Sequence, residues 1–188
     1  MSITTLSCSQ LPLAEPYIQI SKSDSFADGF QLRNAHYQLG KNLASTISNS
    51  LSDNSITIVI LMRAGLCFGM GIADGLEVSG KNISVLFYYN MEQWAKEISN
   101  YSKISESPVI LVDSVINTGT AILNLSNKMP CLETIFAANV VSEKSLPLFE
   151  NRKLFAVRVS KHSFIGSKTK IIGNNRGPDT GDRLFNTF

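Results

Sequence analysis

The stretch VILVDSVINTGTAIL, residues 109–123, decides how this chain is read. Four aliphatic residues, Val109 to Val112, read as a strand buried on both faces. The strand ends in Asp113, and a turn of small residues, Asn117, Thr118, Gly119 and Thr120, leads into a second apolar run of helical length. A chain that turns from a strand into a helix leaves several backbone N–H groups unpaired at the helix start. Gly119 allows close backbone approach, and the hydroxyls of Thr118 and Thr120 add donors. Together they suit a phosphate monoester, and Asp113 is placed to accept hydrogen bonds from sugar hydroxyls beside it. A bare TGT turn is common, and Asp113 could merely cap the helix. The aliphatic strand directly before the acid favours the ligand cradle.

Outward from this segment the chain alternates strands and helices. NSITIVILM (54–62) is a β-branched apolar strand, followed by the glycine-rich RAGLCFGMGIADGLEV. NISVLFYYN (82–90), ETIFAANVVS (133–142) and LFAVRVS (154–160) are further strands, with EKSLPLFEN a short helix or turn. Such alternation predicts an α/β fold with a parallel sheet, whose ligands sit beyond the carboxyl ends of the strands. From Phe26 to Ile47, apolar residues at helical spacing (Phe30, Ala35, Leu39, Leu43, Ala44, Ile47) predict a long amphipathic helix capped by Asp24 or Ser25. Residues 1–22 read as an irregular or strand-containing arm, broken by Pro12 and Pro16.

Composition narrows the class. With 188 residues, 44% hydrophobic and 17% charged, the chain suits one domain with a core of its own. A net charge of +2 with no Lys/Arg run longer than two argues against nucleic acid as the partner. Cys8, Cys67 and Cys131 are odd in number and far apart, which excludes a disulfide framework or a CxxC metal pair. The start of the chain lacks a signal peptide's basic and apolar regions, and Ile56–Leu61 falls far short of the roughly 20 residues a membrane helix needs. The expectation is a cytoplasmic protein with no membrane contact. His36 and His162, distant and without a paired acid motif, lend little support to a hydrolytic triad or a zinc site. His36 is expected at the surface or an interface, and His162, after the last strand, within reach of the site.

The segment 109–121 resembles the phosphoribosyl pyrophosphate signature of type I phosphoribosyltransferases: an apolar strand, an acid, then a TG turn. FQLRNAHYQLGKNLA resembles the N-terminal helix of uracil phosphoribosyltransferases. ILMRAGLCFGMGIADGL is similar to their LRAGLGM segment, and PDTGDRLFNTF to their closing GDAGDRLFGT. The matches fall in order over roughly residues 26–188. The resemblance implies a parallel-sheet type I phosphoribosyltransferase fold with helices on both faces. It implies one domain over 1–188, with a core at about 26–162 and a small hood from residues 1–25 and 163–188.

It also implies roles. Asn117, Thr118, Gly119, Thr120 and Ala121 would bind the 5-phosphate of phosphoribosyl pyrophosphate, with Asp113 on the ribose hydroxyls. Ser114 would join them at the donor, and it stands where other type I enzymes carry a second acid and uracil enzymes do not. Arg63, with Ala64 and Gly65, would hold the pyrophosphate, and the Arg63–Ala64 bond could be cis. A guanidinium offers fixed donors suited to that leaving group. Asp179 would face the ribose pyrophosphate and its Mg²⁺, which is bound mainly through the donor, and Arg63, Asp113 and Asp179 would carry the catalysis. Ile171, Pro178, Asp179 and Thr180 would read the base. Asp182 and Arg183 either serve the tail motif or pair with each other in a turn.

The partners implied are phosphoribosyl pyrophosphate, a nucleobase and a second copy in a homodimer. The function implied is uracil plus phosphoribosyl pyrophosphate to UMP and pyrophosphate. The alternatives are another base, or a regulatory protein that binds the donor or a nucleotide without turnover. The chain departs from the family pattern at several places. Tyr89 stands where an arginine is expected, GNNRGPD (173–179) replaces PGLGD, Asn186-Thr187 replaces the final GT, and Ser48 to Ser55 is short where the family often has a dimerising arm. EQWAKEISNYSKI takes the place of a flexible hairpin, with Lys103 a match for a lysine there and Trp94 and Tyr101 placed either as a lid or as packing.

Overall fold

The computed structural model describes residues 2–101, 104, 106–131, 133–162 and 178–188. Its strands are β1 (Ser2–Thr5), β2 (Ser55–Leu61), β3 (Asn82–Tyr88), β4 (Val109–Ile116), β5 (Thr134–Ser142) and β6 (Lys153–Ser160). They form one parallel sheet in the order β1-β6-β5-β4-β2-β3. The helices are α1 (Leu11–Ser21), α2 (Gly29–Ser48), α3 (Leu66–Val78), α4 (Met91–Glu97), α5 (Thr120–Ser126) and α6 (Thr180–Phe185). Short 3-10 turns cover Ile98–Asn100 and Glu143–Phe149.

The central strands are buried on both faces, as their unbroken apolar runs require. On one face Ile58, Ile60, Ile110 and Val112 pack against Leu39, Leu43 and Ile47 of α2 and Phe68 and Ile72 of α3. On the other, Val59, Leu111 and Phe136 meet Trp94 of α4, Ile122 and Leu125 of α5, and Phe149. The helices therefore cover both faces. The α2–α3 contact is close because glycines line it. A Cβ on Gly40 would lie 2.1 Å from the Phe68 carbonyl oxygen, and one on Gly71 would lie 2.0 Å from that of Tyr37.

The N-terminal arm holds the strand β1, paired to β6. It also holds a helix where the two prolines argued for irregular chain. Pro12 falls in the first turn of α1, where no intrahelical N–H bond is lost, so only Pro16 costs one. Ala14 and Ile18 of α1 join the core, and Gln10 Nε2 donates to Ser45 Oγ at 2.6 Å and Thr46 Oγ1 at 3.1 Å on α2.

Two further expectations need correction. The helix expected from Phe26 starts at Gly29, and its N-cap is Asp28 rather than Asp24 or Ser25. Phe30, expected in the core, is 75% exposed, because it lies about 200° round the helix from buried Leu32. The first half of the segment matched to a flexible hairpin is instead the helix α4, begun by Asn90, whose side chain accepts from Gln93 N at 2.9 Å. Trp94 is buried in this helix, edge-on to Tyr88 at a ring distance of 6.0 Å. It is packing and not a lid; Lys103 lies outside the described residues.

The α2–α3 contact leads to a stability prediction. In Gly71→Ala the new methyl meets a backbone carbonyl that cannot step aside, so unfolding in urea should show a loss of about 2–3 kcal/mol. Val78→Ala, at an exposed position of α3, should change stability by no more than about 0.5 kcal/mol.

Candidate active site

The sheet reverses its direction of growth between β2 and β4, since β3 lies on one side of β2 and β4 on the other. Parallel sheets bind ligands at such a reversal, beyond the carboxyl ends of the strands. The β2–β4 ladder stops at Ile60 and Val112, whereas β4 stays paired to β5 as far as Ile116 and Val141. From Asp113 onward, one edge of β4 is therefore free of β2. A cavity of about 570 Å³ opens there, within the range of small-molecule sites. It is lined by Leu61, Met62, Arg63 and Ala64 after β2, by Tyr88 to Met91 after β3, and by Asp113, Val115, Asn117 and Ala121. Asp179, Thr180 and Gly181 complete it.

Asp113 lies inside β4, not at its end, because the strand continues to Ile116. Strand residues alternate in direction, so Asp113 and Val115 face the cavity while Ser114 points the other way. Ser114 is fully buried, its Oγ 3.0 Å from Nδ1 of His36. Its hydroxyl is thus directed away from the site, and His36, expected at the surface or an interface, is a core residue. Burial, with the charges of Arg183 and Arg158 adding to it, lowers the His36 pKa to about 3, so the ring is neutral at ordinary pH. For Asp113, burial pushes the carboxyl up to about 7, against the opposing effect of the Val115 and Ser114 backbone N–H groups. The Val115 N–H donates to Asp113 Oδ1 at 3.3 Å.

The turn after β4 forms a second, smaller pocket of about 130 Å³, lined by Asp113 and the run from Val115 to Ile122. Gly119 takes a left-handed conformation, φ +73°, at the N-cap of α5, which a residue with a Cβ adopts only under strain. Thr118 Oγ1 accepts from the Thr120 hydroxyl at 3.1 Å and its N–H at 3.4 Å. Asp113, Asn117, Thr118, Gly119, Thr120 and Ala121 are thus brought to one place.

The turn after β2 contains a cis peptide bond between Met62 and Arg63, one residue before the bond expected to be cis. Gly65 is packed beneath it, since a Cβ would lie 2.5 Å from the Leu61 carbonyl oxygen. Gly65 therefore shapes the turn without lining the cavity.

At the other side, α6 starts in a capping box: Asp179 accepts from Asp182 N at 2.8 Å, and Asp182 accepts from Asp179 N at 3.4 Å. Asp182 and Arg183 do not pair with each other. Asp182 holds Arg63, Oδ1 to Nη2 at 2.7 Å, and this bond above all keeps its carboxyl below the usual range. Arg183 is fully buried and donates to the carbonyls of Lys22, Ser25 and Ala27 and to Ser25 Oγ. It ties the closing helix to the chain before α2, so the two terminal segments meet beside the cavity.

Of the expected base-side residues, Asp179 and Thr180 line the cavity and Pro178 precedes them without lining it. Ile171, like the loop Gly173 to Gly177, lies outside the described residues. His162 is exposed and does not line the cavity. Leu61, Met62, Tyr88, Asn90, Met91 and Val115 line it without having been singled out. The signal for Tyr88, Asn90 and Met91 was their place just after a strand next to β2.

The family model for uracil phosphoribosyltransferase matches residues 29–187. The chain belongs to the uracil phosphoribosyltransferase family. Among solved structures, the hypoxanthine-guanine phosphoribosyltransferase of Schistosoma mansoni in complex with IMP is similar over 74% of this chain and 70% of its own. The identity is 18% and the TM-score 0.50. A hypothetical protein from Neisseria gonorrhoeae with bound ppGpp is similar over 68% of this chain and 80% of its own, with 15% identity and a TM-score of 0.50. At these identities the likeness is one of fold, the type I phosphoribosyltransferase fold. No curated protein gives a significant match. Among the described residues no helix is long and apolar enough to cross a membrane.

The carboxyl at the heart of the site makes stability depend on pH. Between its ordinary value of 3.8 and about 7, folded Asp113 keeps a proton that the unfolded chain has lost. This group's contribution therefore falls as pH rises through that window and is level above it. Asp113→Asn should match the parent near pH 4 and grow more stable than it up to pH 8, measured by urea unfolding at pH 4, 6 and 8. A difference that ignored pH would contradict the buried carboxyl.

Proposed function

We propose that this member of the family transfers the phosphoribosyl group of phosphoribosyl pyrophosphate to uracil, forming UMP and pyrophosphate. The observation that carries the reading is the convergence of four features on one cleft at the carboxyl ends of β2 and β4. They are the acid Asp113, the turn Asn117 to Ala121, the guanidinium of Arg63 and the tail Asp179 to Gly181. In this reading the N–H groups and hydroxyls of Thr118, Gly119 and Thr120 hold the 5-phosphate. Asp113 accepts from the ribose hydroxyls, and Thr180 and its neighbours meet the base. A nitrogen of uracil bonds to C1 of the ribose as the bond from C1 to pyrophosphate oxygen breaks, and the proton of that nitrogen passes to solvent.

The chain's contribution is to hold the two reactants in line and to stabilise charge on the departing pyrophosphate with Arg63. Among the described residues lining the larger cavity, Arg63 is the one basic side chain, beside two carboxylates, Asp113 and Asp179. That balance suits a donor that arrives with Mg²⁺, whose preference is for oxygen ligands. When bound, the ion supplies positive charge to the pyrophosphate oxygens. Among the described residues no cluster of three or more His, Cys, Asp or Glu side chains would hold a metal without the donor.

Pyrophosphate release, measured with phosphoribosyl pyrophosphate, Mg²⁺ and a panel of uracil, cytosine, hypoxanthine and guanine, tests the reading. Uracil should give UMP; product with a different base alone would keep the donor and change the acceptor. Arg63→Ala should lower kcat by about 10²-fold or more, the size of losing a charge-stabilising donor. Gly119→Val should abolish donor binding in calorimetry, because the left-handed turn and the N–H groups it presents are lost.

Tyr89 favours a second reading. It is 54% exposed at the cavity rim and stands where the resemblance calls for an arginine. A neutral phenol donates one hydrogen bond and cannot neutralise a leaving group, as suits a protein that binds the donor or a nucleotide without turnover. Under the enzyme reading, Tyr89→Arg should raise kcat/KM by about tenfold through the added cation. Binding in calorimetry with no product from any base would assign the chain to the second reading.

A further inference from the structure

The cation of the cleft is already engaged by the closing helix. Arg63 Nη2 meets Asp182 Oδ1 at 2.7 Å, and Nη1 donates to Thr187 Oγ1 at 3.1 Å. The Thr187 hydroxyl in turn donates to the same Asp182 oxygen at 3.0 Å. Two oxygens, one of them charged, thus face the two amino groups of the guanidinium, an arrangement that a phosphate group would also satisfy. The side chain runs alongside Gly181, with Nε and Nη2 both 3.7 Å from where a Cβ on that residue would sit. Asp182 is held in place from behind as well, because the Asp179 N–H and the Arg63 fork address different oxygens of its carboxylate.

We infer that Asp182 and Thr187 are positioning residues that occupy the Arg63 guanidinium in the unliganded protein, so that a pyrophosphate group entering the cleft takes their place. The inference rests on the reading of Arg63 as the pyrophosphate-binding side chain. Size decides that the exchange can happen. The Arg63 side chain is 48% exposed and that of Asp182 29%, and pairs of this exposure shift an equilibrium by no more than about fivefold. Such a pair holds Arg63 at the cleft yet yields to a ligand carrying several charges. It also links the two substrates, since the helix whose Asp182 holds Arg63 places Thr180, Gly181 and its N-cap Asp179 at the cavity wall.

Calorimetric titration of inorganic pyrophosphate with Mg²⁺ into the whole chain tests the exchange, comparing the parent with Asp182→Asn, Thr187→Val, Arg63→Ala and the double variant of Arg63→Ala with Asp182→Asn. Removing either competitor should tighten pyrophosphate binding two- to fivefold, an effect that structural damage does not produce. Arg63→Ala should weaken binding at least tenfold, and Asp182→Asn added to it should give no tightening. Asparagine keeps one oxygen to accept from Asp179 N, and Thr187→Val leaves the capping box untouched, so it carries the test if Asp182→Asn fails to fold. Unchanged or weaker binding in both single variants, with Arg63→Ala still impaired, overturns the exchange and leaves the role of Arg63 intact. Equal binding by Arg63→Ala and the parent, or none by the parent, overturns the pyrophosphate assignment and the exchange with it.

Discussion

Between Asp113 and Ile116 the strand β4 has a paired neighbour on one side only, and the rest of the site depends on that. Through Val112 it is locked between β2 and β5, and nothing but side chains fits there. Past Val112 the chain of β2 bends away, and the space it vacates becomes the cleft. Asp113, the first residue past the last β2 pair, faces this opening, while Ser114 is driven into the core against His36. A parallel sheet that grows in both directions from one strand pair forces such a gap, whatever the chemistry placed in it.

The charge arrangement follows from the same geometry. Arg63 reaches the cleft from the turn after β2, and Asp182 reaches it from α6, so their contact ties the body of the sheet to the tail. Beneath them, Arg183 fixes that tail by donating to the carbonyls of Lys22, Ser25 and Ala27. Two consecutive residues of one motif therefore act oppositely. Asp182 holds an exposed bond that a ligand can exchange, and Arg183 holds a buried set whose loss would leave carbonyls unpaired. The adjacent polar core is unusual: Nε2 of His36, the side-chain amide of Asn139 and Nε of Arg158 are buried without a partner among the described residues. Burial of this kind accounts for the neutral state of His36.

Much of this was legible in the residues. The apolar runs of β2, β4, β5 and β6 are long enough and β-branched enough to be read without a structure, and the acid and the glycine turn that line the smaller pocket stand next to each other in the sequence. The readings that needed correction share a cause: each turned on a phase or a partner distant in sequence. Phe30 is apolar, but at 100° per residue it lies opposite buried Leu32 and Leu39, on the face that α2 turns away from the core. His36 fits a surface or an interface by its place on α2 alone, and its partner is Ser114, on a strand far along the chain. Pro12 and Pro16 argued against a helix that forms because α2 offers a surface for Ala14, Ile18 and Gln10.

The sequence by itself determined the class of fold and the residues of the turn beside β4, because both are written in local patterns: the period of apolar residues, and an acid and a glycine turn close together along the chain. Only the tertiary structure decided which groups share the cleft and in what state. Arg63 and Asp182 are separated by most of the chain, and their ion pair depends on how α6 lies across the sheet. The raised carboxyl of Asp113 and the neutral ring of His36 depend on how much water the packing excludes. Charge, partner and solvent exposure are properties of three-dimensional neighbourhoods, and no spacing along the chain encodes them.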